Sequence, residues 1–239
     1  MILSEFSFFH SRPIAPTRRL ALGDRSLPID PSPGFGGILL GGVVAKYVAE
    51  IDDELLEELP GLLVDLSNFN RVTQPRFRHR LQTDRVGMAN STHRLVQRAG
   101  SLPNDLPTIE FEFENVGTAE QQVLGAVYTA AAATAVSMGS KKMIFEVLTK
   151  AAAWRGPVGP SLISHLSGHG GGARLSVIAL ADPRAWALNL LELKSDPTPR
   201  QISKRFRELV SAAHPDHGAD EATAATRIAD LTEARRILK

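Results

Sequence analysis

The spacing of apolar residues predicts that the N-terminal part of the chain combines strands and helices. Residues 108–114 (TIEFEFE) alternate apolar and acidic side chains, which predicts a half-buried strand. Gly37 to Val44 form a short continuous apolar run, which predicts a buried strand. Around the acidic stretch 50–58, apolar residues recur at helical spacing and predict a helix, and Pro60 ends that helix or starts a new element. The apolar positions of this helix are Ile51, Leu55, Leu56 and Leu59.

Two further helices and an irregular arm complete the prediction for this region. Thr118 and Gln121 have capping-box spacing at the start of a long helix, and another helix is predicted over Lys141 to Ala153. Residues 1–34 are rich in proline and turn residues and predict an irregular arm. The prolines of the arm are Pro13, Pro16, Pro28, Pro31 and Pro33. We therefore expect an α+β domain of unknown fold over residues 1–172.

The C-terminal part predicts helices alone. Glycine-rich residues 168–172 loosen the chain, so we expect a linker over 173–181 and a second domain over 182–239. Asp182 followed by Pro183 is a helix start. A second start lies at Thr198, where proline follows the cap and glutamine occupies the capping-box position.

The helix that begins at Thr198 is strongly amphipathic. One face carries Ile202, Phe206, Leu209, Val210 and Ala213, and the other carries Arg200, Lys204, Arg207 and Ser211. Pro215 stops this helix, and Asp220 can cap a third. The apolar positions of the third helix are Ala224, Ile228, Leu231, Ala234 and Leu238. Facing apolar stripes on two antiparallel helices, crossed by a short one, predict a small all-α core.

The tripeptide His214-Pro215-Asp216 lies in the connector between these two helices. Together with its flanks, it resembles the J-domain of the DnaJ-like co-chaperone family over about sixty residues. The matching segments, in order and in apolar phase, are 190–193, the helix start at 198, 202–210, 214–216 and 228–238. This region departs from the family pattern in three respects: no fourth helix precedes the last residue, His217 stands where a lysine is common, and Arg235 replaces a usual aromatic.

The resemblance implies a co-chaperone that docks on a DnaK-type chaperone ATPase and stimulates its ATP hydrolysis. In that family, the HPD tripeptide and the preceding basic helix contact the ATPase. The corresponding residues here are His214, Pro215, Asp216, Lys204, Arg205 and Arg207. The zinc repeats and the Gly/Phe-rich linker of the long DnaJ chaperones are absent from this sequence, so we expect the N-terminal domain to act as a client or location adaptor.

Composition adds constraints on the environment. The 27 lysines and arginines nearly balance 26 aspartates and glutamates, which leaves a formal net charge of +1 and no global polyanion-binding character. There is no cysteine, which rules out disulfides and thiolate zinc sites and fits a reducing cytosol. No apolar run is long enough for a membrane span, and the N-terminus lacks a secretory signal pattern. We expect a cytoplasmic protein without membrane contact.

The arginine-rich segment 71–98 supports an alternative function. Arg76, Arg78 and Arg80 are candidate anion-binding residues, because guanidinium groups bind phosphates and carboxylates with forked geometry. On this alternative the chain is a nucleic-acid- or phosphate-binding adaptor, and the C-terminal hairpin is purely structural. The competing interpretation is that the arginines pair with the acidic stretch 50–58.

No pattern of an enzyme or a cofactor site stands out. His165 and His169 have the spacing of metal ligands on a helix, but they lack a nearby carboxylate pair, and glycines loosen that helix. No P-loop, nucleophile elbow or dinucleotide-binding fingerprint occurs. We therefore expect no catalytic activity, no metal and no cofactor.

Overall fold

The computed structural model describes residues 1–14, 17–30, 32–98, 108–167, 183–213, 228, 230–232 and 234–238. The chain divides into two units, Met1–Leu166 and Ser167–Lys239. The first unit combines a five-stranded sheet with helices, and the described residues of the second are helical or lie in turns and loops. The chain is thus of mixed α and β structure, as predicted.

The sheet of the first unit has the strand order β3-β2-β1-β4-β5. Its strands are β1 (Ile2–His10), β2 (Arg18–Ser26), β3 (His79–Gln82), β4 (Ala89–Arg98) and β5 (Thr108–Phe113). Neighbouring strands are antiparallel, except that β2 and β3 run parallel. In β1, Phe6 and Phe8 point into the core while Glu5, Ser7 and Phe9 lie on the other face, as the pleat requires.

The helices of the first unit surround one central helix. They are α1 (Gly34–Tyr47), α2 (Asp53–Ser67), α3 (Ala119–Ala133), α4 (Met138–Ala152) and α5 (Pro160–Leu166), and a 3-10 turn, Val48–Glu50, follows α1. Helix α1 contacts α3, α4, α5 and the sheet. The predicted strand over 108–114 and the predicted helices beginning near Thr118 and Lys141 are confirmed by β5, α3 and α4.

The prediction of a strand from Gly37 to Val44 is wrong, because these residues lie within α1. All residues of α1 except Lys46 are buried, so the helix has no polar face and its apolar run carries no helical period. Glycines in α1 allow neighbouring side chains to approach the backbone of this helix closely. A Cβ on Gly42 would lie 2.2 Å from Cε1 of Phe111, and one on Gly41 would lie 2.7 Å from Cδ1 of Leu166.

The prediction of an irregular arm over residues 1–34 is also wrong, because the segment supplies the two strands β1 and β2. Strand β1 is the middle strand of the sheet. Pro13 lies in the turn between these strands, and Pro28 and Pro33 lie in the connection to α1. Pro16 and Pro31 lie outside the described residues. Pro13 and Pro28 therefore lie just beyond the ends of strands, where no ladder hydrogen bond is required of them.

The predicted acidic helix is confirmed by α2, but Pro60 does not end it. The helix is capped by Asp52, whose carboxylate accepts a hydrogen bond from the backbone N–H of Leu55 at 2.8 Å. It continues through Pro60 to Ser67. Pro60 and Leu56 both lie on the exposed side, where water can bind the carbonyl that loses its helical donor.

The second unit contains α6 (Pro183–Leu190), α7 (Pro199–Ala212) and helical residues at 228, 230–232 and 234–237. The helix starts predicted at Pro183 and Thr198 are confirmed. Asp182, Asp220, Ala224 and the predicted linker 173–181 lie outside the described residues. The core of the unit is formed by Trp186, Ala187, Leu191, Ile202, Leu231 and Ala234.

Candidate functional site

Helix α7 presents the predicted amphipathic arrangement with a complete N-terminal cap. The hydroxyl of Thr198 accepts from the N–H of Gln201, and the Gln201 side chain accepts from the N–H of Thr198 at 2.7 Å. Pro199 occupies the first turn, where its missing donor costs nothing. Ile202 is buried, and Phe206, Leu209, Val210 and Ala213 are partly buried against the core. The apolar side of the helix is therefore committed to the fold.

The opposite side of α7 exposes basic residues. The Lys204 side chain is 77% exposed, and its Nζ lies 4.0 Å from Oε1 of Glu208. Arg207 is also exposed, and its Nε donates to the carbonyl of Ser203 at 3.2 Å. Among the described residues, no carboxylate lies within ion-pair distance of Arg207 or Arg200. These side chains form a positively charged stripe that is open to a partner.

Arg205 behaves differently from its two basic neighbours. Its guanidinium group forms ion pairs with Glu192 and with Glu208, the latter at 3.1 Å. Hydrogen bonds to Glu208 and Glu192 raise the pKa of Arg205 above its ordinary value. Because Glu192 follows α6 in the chain, Arg205 ties α7 to the segment that precedes it. Its charge is largely used within the unit.

The tripeptide His214-Pro215-Asp216 lies outside the described residues, as does His217. Helix α7 ends at Ala212, and Ala213 caps it through backbone hydrogen bonds. The tripeptide thus follows the helix by one residue along the chain.

Arg235 takes part in the packing of the second unit. Its guanidinium carbon lies 4.7 Å from the centroid of the Phe206 ring, in cation–π geometry. A flat guanidinium group can cover an aromatic ring, as another ring would. Arg235 therefore supplies a flat contact at the position where the resembling family commonly has an aromatic residue.

In the first unit, two of the candidate anion-binding arginines are engaged with helix α2. Arg76 Nη2 lies 2.7 Å from Oε2 of Glu58, and Arg78 Nη2 lies 3.4 Å from Oε2 of Glu54. The guanidinium group of Arg76 also lies over the Phe77 ring, 4.7 Å from its centroid. These contacts are the ones expected if the arginines pair with the acidic stretch 50–58. Arg80 is exposed on β3, and no described carboxylate lies within ion-pair distance of it.

A buried polar network lies between the sheet and α3, and the sequence reasoning did not identify it. His93 Nε2 lies 2.7 Å from Oε1 of Gln122, whose amide nitrogen lies 3.3 Å from the Ser91 hydroxyl. That hydroxyl lies 3.1 Å from Nε2 of His10. Desolvation lowers the pKa of His93 to about 4 and also lowers the pKa of His10. In β1 the period of two that Phe6 and Phe8 begin reaches His10, but residues 90–94 of β4 are all polar, so no alternation marked Ser91 and His93 as inward positions.

The network has the residue types of a nucleophile and a base but not the access that a substrate needs. Ser91 and His93 are completely buried, and His10 is nearly so. The Ser91 hydroxyl donates to the backbone carbonyl of Val116 at 2.9 Å. These groups therefore satisfy one another inside the fold, with the exception of His93 Nδ1, which has no partner among the described residues.

Of the two histidines considered as metal ligands, His165 alone lies in the described part of the chain. The His165 ring packs against Trp154, with centroids 4.9 Å apart, and His169 lies outside the described residues. The described residues contain no group of three or more histidine, cysteine, aspartate or glutamate side chains that could hold a metal ion.

Comparison with known proteins adds no assignment: no protein-family model, curated protein or solved structure matches this chain. Within the described helices, none has both the length and the apolar character needed to cross a bilayer.

Proposed function

We propose that the chain is a co-chaperone that docks through its C-terminal J-like unit on a DnaK-type chaperone ATPase and stimulates ATP hydrolysis by that partner. The observation that carries the proposal is the exposed basic stripe of α7, a helix that ends at Ala212 and is separated from His214-Pro215-Asp216 by one residue. The order of these two features along the chain is the one the resembling family uses for docking.

The electrostatics of α7 support an encounter with an acidic surface. Lys204, Arg207 and Arg200 project from the side that the core leaves free, so their charges can steer an acidic partner toward the helix. Arg205 has a different role in this proposal. Through Glu192 and Glu208 it positions α7 and contributes little free charge.

The tripeptide acts by binding in this proposal. Pro215 restricts the backbone, while His214 and Asp216 offer a donor–acceptor pair to the ATPase. ATP is bound and hydrolysed in the partner, so this chain needs no nucleophile of its own. The first unit serves as the adaptor that selects a client or a location.

The test compares two histidines of the same segment. Purified full-length protein is added to a cognate DnaK-type ATPase, and phosphate release is measured in single-turnover and steady-state assays. We expect His214→Gln to abolish the stimulation and His217→Gln, a matched change outside the tripeptide, to retain most of it. Unchanged stimulation by His214→Gln, or no stimulation by the wild type, contradicts the proposal.

A further inference from the structure

The two faces of the five-stranded sheet differ in what covers them. Helices α1 and α3 pack on one face, where Gly42 of α1 meets Phe111 and Gly125 of α3 meets Phe8. The opposite face carries polar and charged side chains that are exposed or half-buried. This open face lies entirely within the first unit.

Two arginines lie opposite each other at one edge of the open face. In the parallel pair of β2 and β3, Arg19 is the register partner of Arg80. His79 is buried on the helix side, so the next residue, Arg80, points to the open face. Like charges directly opposite on neighbouring strands repel each other, which makes this pair costly for the fold.

Few carboxylates offset these charges. Arg19 Nη1 lies 3.8 Å from Oδ2 of Asp84, at the long end of the ion-pair range. Arg80 has no carboxylate within ion-pair distance among the described residues, and the same holds for Arg85 in the loop between β3 and β4. Of the three arginines at this edge, Arg19 alone has a carboxylate within ion-pair distance among the described residues.

The other edge of the same face is compensated. Arg98 lies 2.7 Å from Oε2 of Glu110 and 2.6 Å from Oε1 of Glu112. Arg94 forms an ion pair with Glu5. The open face is therefore segregated, with free positive charge beside β3 and paired charge beside β5.

An aromatic platform adjoins the free arginines. Phe9 is half-buried on the open face, and the guanidinium carbon of Arg85 lies 4.9 Å from the centroid of its ring. Guanidinium planes and aromatic rings are the surfaces on which unpaired bases stack, whereas an acidic peptide offers no such partner. Proteins that bind single-stranded nucleic acid combine a basic surface with such a stacking platform.

We propose that the edge formed by Arg19, Arg80, Arg85 and Phe9 binds the phosphate backbone of single-stranded nucleic acid without sequence preference. Arg19 and Arg80 hold phosphates with forked hydrogen bonds, and Arg85 neutralises a third phosphate while it supports a stacked base together with Phe9. Arg76 and Arg78 take no part, since they are engaged with α2. This activity does not rest on the proposed co-chaperone function.

Binding is measured by fluorescence anisotropy with a labelled oligothymidylate and a labelled oligouridylate of about 30 nucleotides. Neutralisation of about three phosphates predicts that log K falls with log salt concentration with a slope of about −2. In the double variant Arg19→Gln/Arg80→Gln, we expect a slope of about −0.7 and roughly tenfold weaker binding at low salt. Arg85→Gln alone tests the stacking platform. We expect a smaller loss of affinity and a slope whose magnitude is reduced by about 0.7.

The matched control is Arg94→Gln/Arg98→Gln, which removes the same charge from the same face at the compensated edge. We expect it to bind within about twofold of the wild type, since its arginines already hold carboxylates. Trp154 fluorescence during urea unfolding establishes that each variant is folded. If the Arg19/Arg80 double variant does not fold, the single variant Arg80→Gln replaces it, with the slope reduced by about 0.7.

Three outcomes overturn the proposal. The first is absence of binding by the wild type at low salt. The second is an equal loss in the two double variants, because binding then follows net charge only. The third is displacement of the oligonucleotide by polyglutamate at equal charge concentration, which assigns the surface to acidic peptides instead. None of these outcomes bears on ATPase stimulation, so the two proposals fail separately.

Discussion

The first unit and helix α7 of the second unit are both rich in basic residues, yet they use them differently. In segment 71–98, Arg76 and Arg78 contact glutamates of α2, and Arg98 contacts two glutamates of β5. In α7, Lys204 and Arg207 remain exposed, and the acidic residues near this helix mainly hold Arg205. Density of positive charge along a sequence is therefore a poor guide to positive surface. The deciding factor is which acidic elements the fold brings alongside.

Histidines of the first unit are likewise engaged within the fold. The first unit buries His10, His79 and His93, and burial lowers the pKa of each. His214, on which the proposed function depends, lies outside the described residues. Apart from exposed arginines beside β3, such as Arg80 and Arg85, the first unit uses these polar groups within the fold, whereas Lys204 and Arg207 of α7 remain exposed. The three predictions below test this difference, in order of decreasing effect.

The largest effect should come from acid acting on His93. Its pKa is lowered to about 4, so between pH 6.5 and about 4 the unfolded chain takes up a proton that the folded unit refuses. The His93 contribution to stability is present in full above pH 6.5 and is lost as the pH falls toward 4, by roughly 3 kcal/mol. We expect the free energy of unfolding of His93→Gln to fall less steeply over this pH range.

Urea unfolding followed by Trp154 fluorescence measures this loss. The background is Trp186→Phe, which leaves the single tryptophan of the first unit. His10 and His79 act in the same direction, so some acid sensitivity persists in the variant. If the free energy of unfolding depended on pH in the same way in the wild type and in His93→Gln, His93 would not be held neutral in the folded unit.

The two capping boxes should give the next largest effect. Thr118→Ala and Thr198→Ala each remove a side-chain cap, which costs about 1 kcal/mol. The same loss lowers Tm by about 2–4 °C in a domain the size of the first unit and by about 4–8 °C in one the size of the second. Thermal scans followed by fluorescence in the single-tryptophan backgrounds Trp186→Phe and Trp154→Phe separate the two units, and the serine variants serve as controls. Equal shifts in Tm would contradict the expected difference between the units.

The smallest effects concern the basic residues themselves. Arg76→Gln removes a half-exposed ion pair with Glu58 and should cost the first unit about 0.5 kcal/mol.

Lys204→Gln/Arg207→Gln should leave the stability of the second unit unchanged within about 0.5 kcal/mol while it weakens ATPase stimulation. Urea unfolding and the phosphate-release assay measure the two quantities. A loss of stability in the α7 variant, or ATPase stimulation equal to that of the wild type, would contradict the expected difference between the basic residues of the two units.

Local signals allowed much of the secondary structure to be predicted from the sequence. The caps at Thr118 and Thr198 involve residues three apart, so their spacing alone locates the starts of α3 and α7. The alternation over 108–113 likewise reports the two environments of a strand. In each of these cases, the partners that stabilise the element are close along the chain or share one repeating environment.

Elements whose environment comes from distant segments could not be predicted. Helix α1 is buried on all sides by residues of β5, α3, α4 and α5, so no polar period marks it. Strand β1 pairs with β4, about eighty to ninety residues away, and the prolines around it suggested an arm. In the candidate site, the exposed side of α7 followed from its period, but the attachment of Arg205 to Glu192 depends on a residue outside the helix.

The burial of α1 has a consequence for biosynthesis. The helix is translated before several of the side chains that cover it, which belong to Phe111, Ile144, Val147 and Leu166. Contacts with β1 can form at once, but those with β5, α4 and α5 must wait, and contacts this distant in sequence form slowly. The first unit completes its core only when Leu166 has been translated. Until then part of this apolar segment is uncovered in the nascent chain, and transiently exposed apolar surface is prone to aggregate.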